Sequence, residues 1–222
     1  MKVLQPILFA VIMLLTFSCE SKDKAKSTAV LTKVTAPSQD LSKYETAYFA
    51  SGCFWCVEAV FESVKGVKEA ISGYSGGTEL NPTYEQVGAG RTSHAEAVKV
   101  YYDPKVVSFA TLVKVFFGSQ DPTTLNSQGP DHGAQYRSIA FYKNEEEKKI
   151  IEDYIKELED KKVFDKPIVT EVTKFSKFYN AEDYHQDYEK NHPNNPYIRN
   201  VSIPRLQRFQ AKFPELLKKE VH

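Results

Sequence analysis

Cys53 and Cys56 stand one helical turn apart in the run Gly52-Cys53-Phe54-Trp55-Cys56-Val57-Glu58. A short β-prone run, residues 46–50, precedes them, and Val57, Val60, Phe61 and Val64 follow at helical spacing. The pair therefore sits at a strand-to-helix turn. The free N–H groups and dipole of a helix N-terminus favour negative charge, so Cys53 is expected to titrate below the ~8.5 of a free thiol and to act as a thiolate nucleophile. Cys56 is close enough to close a disulfide with it, and the two can cycle as a two-electron couple. An inert structural disulfide and half of a metal site are the other readings. Val57, where histidine would be needed, excludes a c-type haem attachment.

Two more features add to the pair. Phe54 and Trp55, the latter the single tryptophan, could form an aromatic wall holding a methyl or thioether group beside the thiolate, or simply core packing. Glu96 falls in a predicted strand on the same face as Val98 and Val100. Burial there would raise its pKa and make it a candidate proton donor near neutral pH; exposure at a frayed strand start, or pairing with Arg91, is the alternative. His94 and Glu96 could ligate a metal, but no second cluster completes a set.

The elements that must position these groups can be read coarsely. After the first strand and helix come turn-rich residues (Gly73, Gly76-Gly77, Asn81-Pro82, Gly88, Gly90), then a strand over 94–102 stopped by Asp103-Pro104. Ser108 caps a helix through Phe117, a loop spans 121–133, and a strand follows over 135–142. A charged amphipathic helix runs over 145–160 and a strand over 168–173. Asn180, with Asp183 after it, starts a short helix to about Lys190; residues 191–204 read as irregular, and a last amphipathic turn or two carries Leu206, Phe209 and Phe213. Interspersed helices and strands without a regular βαβ repeat predict an α+β two-layer domain.

The chain has 222 residues, 41% hydrophobic and 26% charged, the composition of an ordinary folded domain. Its 29 basic and 29 acidic side chains leave no net charge, which argues against nucleic-acid binding. Residues 1–18 resemble an export signal: Lys2, an apolar stretch over 7–17 too short to span a membrane, then Ser18-Cys19 and a polar run. Ser18-Cys19 resembles a bacterial lipoprotein cleavage site, with Cys19 as the lipidated residue. Residues 19–43 read as a solvated linker, leaving 44–222 as the catalytic domain. The expected location is extracytoplasmic, on a lipid anchor in a bacterial envelope membrane.

The domain resembles the A-type peptide-methionine sulfoxide reductases. The resemblance is carried by Gly52-Cys53-Phe54-Trp55, Gly73-Tyr74-Ser75-Gly76-Gly77, Asn81-Pro82-Thr83-Tyr84, His94-Ala95-Glu96-Ala97, Tyr102-Asp103-Pro104, Asp121-Pro122-Thr123, Asp131-His132-Gly133-Ala134-Gln135-Tyr136-Arg137-Ser138 and Phe178-Tyr179-Asn180-Ala181-Glu182-Asp183-Tyr184-His185-Gln186. It implies a ferredoxin-like two-layer α+β core and reduction of the S epimer of methionine sulfoxide, free or in proteins. It further implies Cys53 as nucleophile, Glu96 as acid, Tyr84 and Tyr136 as phenols on the sulfoxide oxygen, Phe54 and Trp55 as the methyl pocket, and Asp131 near the substrate backbone. No bound cofactor or metal is expected, only an external thioredoxin-like dithiol reductant, and the chain is expected to be a monomer. Many relatives carry a resolving cysteine in a glycine-rich C-terminal tail; here the tail around Asn194-Asn195-Pro196-Tyr197 has none, so Cys56 must resolve, or nothing in the monomer does.

Two other functions fit the local residues. A general thiol–disulfide oxidoreductase of the envelope would use the cysteine pair without needing Glu96. An envelope binding module would carry Cys53 and Cys56 as an unreactive disulfide.

Overall fold

The computed structural model describes residues 40–219. The expected signal segment, Cys19 and nearly all of the linker lie outside the described residues. In chain order the elements are β1 (Glu45–Ser51), α1 (Phe54–Glu62), β2 (Val67–Ser75), α2 (Tyr84–Gly88), β3 (Ala95–Tyr102) and α3 (Phe109–Gly118). There follow β4 (Ser127–Gln128), β5 (Asp131–His132), β6 (Ser138–Tyr142), α4 (Glu145–Asp160), β7 (Glu171–Lys174), β8 (Phe178–Asn180), α5 (Tyr188–Asn191) and α6 (Ile203–Lys212).

Six strands form one sheet in the order β7-β6-β1-β3-β2-β8. Its four central strands, with α1 after β1 and α3 after β3, reproduce the β-α-β-β-α-β ferredoxin-like pattern that the sequence resemblance implies. All three pairings among those strands are antiparallel, β7 adds in parallel beside β6, and β8 adds antiparallel beside β2.

Alternation along β1 explains its place at the centre. Ala47 and Phe49 face the helices, whereas Tyr48 and Ala50 face a second cluster with Ile139 and Phe141, so the strand is apolar on both sides. Phe49 is fully buried between Phe61 of α1 and Phe116 of α3, with ring centroids 5.0 and 5.1 Å away. Burial of one such ring stabilises the fold by roughly 1.5–3 kcal/mol. Ser108 caps α3 by accepting from the Thr111 amide at 3.1 Å, as expected.

Several expectations are corrected. The turn-rich stretch after α1 contains β2, whose Tyr74 lies opposite Glu96, and also α2, started by a Thr83–Gln86 capping box. Glycine inside β2 is a packing requirement: a Cβ on Gly73 would lie 2.3 Å from the Tyr179 carbonyl oxygen of β8. The expected loop over 121–133 holds the small β4–β5 hairpin. Residues Ala134–Tyr136 form a 3₁₀ turn, so the next strand starts at Ser138 and not at 135. The strand expected over 168–173 is β7, shifted to Glu171–Lys174. Asn180 ends β8 opposite Gly73 and caps no helix. The segment expected to be irregular contains a π-helical turn, Ile198–Ser202, leading directly into α6.

Candidate active site

β1 ends at Ser51, and Gly52 turns the chain with φ +79°. A side chain at Gly52 would be strained by that φ and would also meet the Gln128 Cβ at 2.6 Å. The Gly52 amide donates to the Tyr136 carbonyl at 3.2 Å, and Cys53 then occupies the N-cap position of α1. Both thiols are free and buried, Cys53 being 6% exposed and Cys56 2%.

The electrostatics of the pair differ from expectation. Burial pushes the Cys53 thiol well above its ordinary value, with Cys56 and the charge of Glu96 adding to the effect. The N-terminus of α1 does not offset this, because the first helical donor, the Phe54 amide, is taken at 3.0 Å by the Glu96 carboxylate. The lower-titrating thiol is Cys56, brought to about 6 by its hydrogen bond with Cys53, against burial and with help from the charge of Arg205. The hydrogen bond between the two thiols thus favours the thiolate of Cys56 and disfavours that of Cys53.

Glu96 is 2% exposed on the face shared with Val98 and Val100, as the strand alternation predicts. Burial raises its carboxyl to about 8; Asp131 and Cys56 push it further and the Phe54 amide pulls it back. Tyr84 opens α2, and burial raises its phenol to about 12 with the charges of Glu96 and Cys53 contributing. Tyr136, at the end of the 3₁₀ turn, is raised by burial and by Glu96, Tyr84, Asp131 and Cys53. Cys53, Glu96, Tyr84 and Tyr136 therefore face one space, and both phenols stay protonated donors throughout the ordinary pH range. Asp131 of β5 borders the same space; its Oδ2 accepts from Tyr197 Oη at 2.5 Å, and burial raises its carboxyl.

Aromatic side chains enclose the thiols. The Phe54 ring is buried against Tyr74, Tyr84 and His185, with centroids 5.9, 6.2 and 5.0 Å away. Trp55 is half-buried, stacks on Tyr188 at 3.8 Å, and presents an edge contact to Tyr197. Its indole N–H donates to His185 Nδ1 at 3.1 Å, so the His185 proton resides on Nε2; burial lowers the imidazole pKa and keeps it neutral. His185 and Tyr188 thus belong to the wall of the site.

The structure also brings in residues that the sequence reading passed over. Tyr197 Oη lies 3.8 Å from Cys56 Sγ, and Arg205 reaches behind the pair from α6. Tyr197 was masked by its Asn- and Pro-rich surroundings. Arg205 carried a usable signal: it stands four residues before Phe209, on the same helical face, and that face is buried. His94 is no ligand, since its ring accepts from the Gly77 amide and donates to the Glu79 carbonyl. Among the described residues no group of three or more His, Cys, Asp or Glu side chains is placed to hold a metal ion.

Comparison with known proteins points the same way. A family model described as peptide methionine sulfoxide reductase matches residues 45–217. The peptide methionine sulfoxide reductase MsrA of Polynucleobacter asymbioticus is 47% identical over 179 residues, covering 81% of this chain and 94% of that protein. The MsrA of Sulfolobus acidocaldarius is 49% identical, covering 77% of this chain and 96% of its own. Among solved structures, reduced Mxr1 of Saccharomyces cerevisiae superposes with a TM-score of 0.64 at 34% identity, covering 69% of this chain and 88% of that one. Methionine sulfoxide reductase A of Corynebacterium diphtheriae gives 0.61 at 35% identity, covering 68% and 76%. This chain belongs to the peptide methionine sulfoxide reductase family.

Proposed function

We infer that the chain reduces the S epimer of methionine sulfoxide to methionine, with Cys53 as nucleophile and Glu96 as acid. The observation that carries the assignment of roles is the clustering of Cys53, Glu96, Tyr84 and Tyr136 at the head of α1, near enough for their charges to act on one another. A sulfoxide sulfur is a poor electrophile until its oxygen is hydrogen-bonded or protonated, so attack needs donors opposite the nucleophile. Two neutral phenols and a carboxyl held near 8 supply them. Phe54 and Trp55 receive the methyl group, and Asp131 lies toward the substrate backbone.

In the first step the Cys53 sulfur bonds to the sulfoxide sulfur as Glu96 protonates the oxygen. The oxygen then passes to Cys53, methionine leaves with its sulfur reduced by two electrons, and Cys53 becomes a sulfenic acid. The partial positive charge on the sulfoxide sulfur gives the Cys53 thiolate the partner that the resting site lacks, which draws the proton off Cys53. Cys56 then bonds to the Cys53 sulfur, the S–O bond breaks, and the oxygen departs as water. An external dithiol, a thioredoxin-like protein, exchanges with the resulting disulfide and restores both thiols. Replacing Cys53 with serine is expected to abolish methionine formation; retained formation would overturn the assignment.

We propose an exported protein held at a bacterial envelope membrane by a lipid on Cys19, supported by the short apolar stretch and the Ser18-Cys19 junction. Such a protein takes its electrons from a thioredoxin-like partner on the same side of the membrane.

A further inference from the structure

We propose that Arg205 is the counter-charge of the cysteine pair, a positioning residue that speeds disulfide formation by holding Cys56 as a thiolate. The proposal rests on the reading of Cys56 as the resolving cysteine.

Arg205 is 7% exposed, and its guanidinium is always charged. Its Nε donates to the Ser119 carbonyl at 2.8 Å, and its two terminal nitrogens donate to the Ser51 carbonyl at 2.9 Å and the Ser51 Oγ at 3.0 Å. All three acceptors are neutral oxygens, and among the described residues no carboxylate pairs with it. A buried cation without an anion is costly, so a group that can become one nearby is favoured in its charged form. Ser51 is two residues before Cys53, and a guanidinium nitrogen would lie 3.7 Å from a Cβ placed on Gly52, so the charge is held beside the turn that carries the pair.

The groups facing Cys56 are Cys53 at the head of its own helix, Glu96 from β3, Tyr197 and Ser202 from the segment before α6, and Arg205 from α6. Arg205 is the one cation in this set. The two hydroxyls also favour the Cys56 thiolate, but each is neutral and is drawn to a carboxylate, Tyr197 to Asp131 and Ser202 to Glu189, so Arg205 alone brings a charge. Asp131 also feels Arg205, but it is half-exposed and already held by Tyr197. Once Cys53 has become a sulfenic acid, its S–H no longer supports Cys56, and the guanidinium remains as the charge that does. In that step Cys56 loses its proton, its electron pair forms the S–S bond, and the Cys53 S–O pair departs with oxygen, which takes up a proton to become water.

The test separates the two half-reactions in the full chain. Pre-reduced wild type, Arg205→Gln and Arg205→Lys are mixed with a methionine S-sulfoxide peptide from pH 5 to 9, and methionine formed and thiols lost are followed in time. Arg205→Gln is expected to form methionine as wild type does, yet to close the disulfide about tenfold more slowly at pH 6, its profile displaced upward by about one unit. Arg205→Lys, which keeps the charge, is expected to keep the wild-type profile. A structural role would change stability without moving that profile, and an unmoved profile in Arg205→Gln overturns the proposal. A second measurement leaves Arg205 in place: in Cys53→Ser, the 240 nm thiolate absorbance of Cys56 is expected to titrate below the ~8.5 of a free thiol, and a midpoint at or above it overturns the proposal. Absence of methionine from wild type would instead contradict the reaction itself, and the Cys56 titration would still judge Arg205.

Discussion

Burial of Glu96 raises its carboxyl to about 8, and the same burial that makes it an acid near neutral pH costs stability. In the unfolded chain a glutamate titrates near ~4.3, so between those values the folded state binds more protons than the unfolded state. The stability tied to this group is therefore full below the unfolded value and is lost as pH rises through about 8. Glu96→Gln, which cannot ionise and can still accept from the Phe54 amide, is expected to raise Tm more at pH 8 than at pH 5. The same variant is expected to slow methionine formation by about 10²–10⁴ fold, the usual weight of a general acid. In the wild type, the rate of the first step should fall as pH climbs past about 8, where Glu96 gives up the proton it must donate. A Tm gain equal at both pH values would show that the carboxyl is not held protonated by the fold. The burial of Glu96 and the position of Cys53 and Cys56 at the head of a helix were legible in the sequence because each stands beside an unambiguous local pattern. The charge balance of the thiols was not legible: it depends on the Phe54 amide, on Arg205 and on Tyr197, which come from distant parts of the chain.

At the scale of elements, the long regular segments could be read and the short ones could not. The helix over Glu145–Asp160 and the β3 strand matched their patterns, since amphipathic spacing or alternation persists over enough residues to stand out. β2 was hidden by its glycine and small residues, and those exist because β8 approaches closely: the Gly73 position admits no Cβ without moving the Tyr179 carbonyl or the Phe178 ring. Gly73→Ala is accordingly expected to destabilise the fold by about 1–3 kcal/mol in urea unfolding. It should also lower activity, because β8 leads into Glu182, whose carboxylate accepts from the Tyr84 amide and the Tyr74 hydroxyl. Wild-type stability in this variant would show that β8 does not clamp β2. Glu58 does similar work from α1: it accepts from Ser72 Oγ and from the Asp187 amide, next to the Tyr188 that stacks on Trp55. Glu58→Ala would leave both donors without a partner inside the protein, at about 1–3 kcal/mol each where water cannot reach them. A raised KM with a smaller change in kcat is the expected kinetic sign of a loosened aromatic wall; unchanged KM would place that wall outside substrate binding.

At the scale of the whole molecule, the site is assembled from nearly the full length of the described residues. Cys53 and Glu96 come from the central strands and first helix, Asp131 and Tyr136 from the middle, and His185, Tyr197 and Arg205 from the last elements. A chain beginning at residue 40 is therefore expected to keep full activity, whereas removing residues 197–222 is expected to abolish it by taking away Tyr197 and the whole of α6, whose Phe209 belongs to the core. The location proposal has its own check: the full chain expressed in bacteria should partition into detergent with the membrane fraction, and Cys19→Ser should move it to the aqueous phase. Equal partitioning of both would count against the lipid.

The central claim is that Cys53 takes the sulfoxide oxygen and Cys56 resolves the product. It is tested most directly by mixing the pre-reduced protein, without external reductant, with each epimer of a methionine sulfoxide peptide and counting methionine formed against thiols lost. The account predicts about one methionine and about two thiols per wild-type chain with the S epimer alone, and a trappable sulfenic acid on Cys53 in Cys56→Ser. No methionine from either epimer, or full thiol loss in Cys56→Ser without a sulfenic acid, would contradict it.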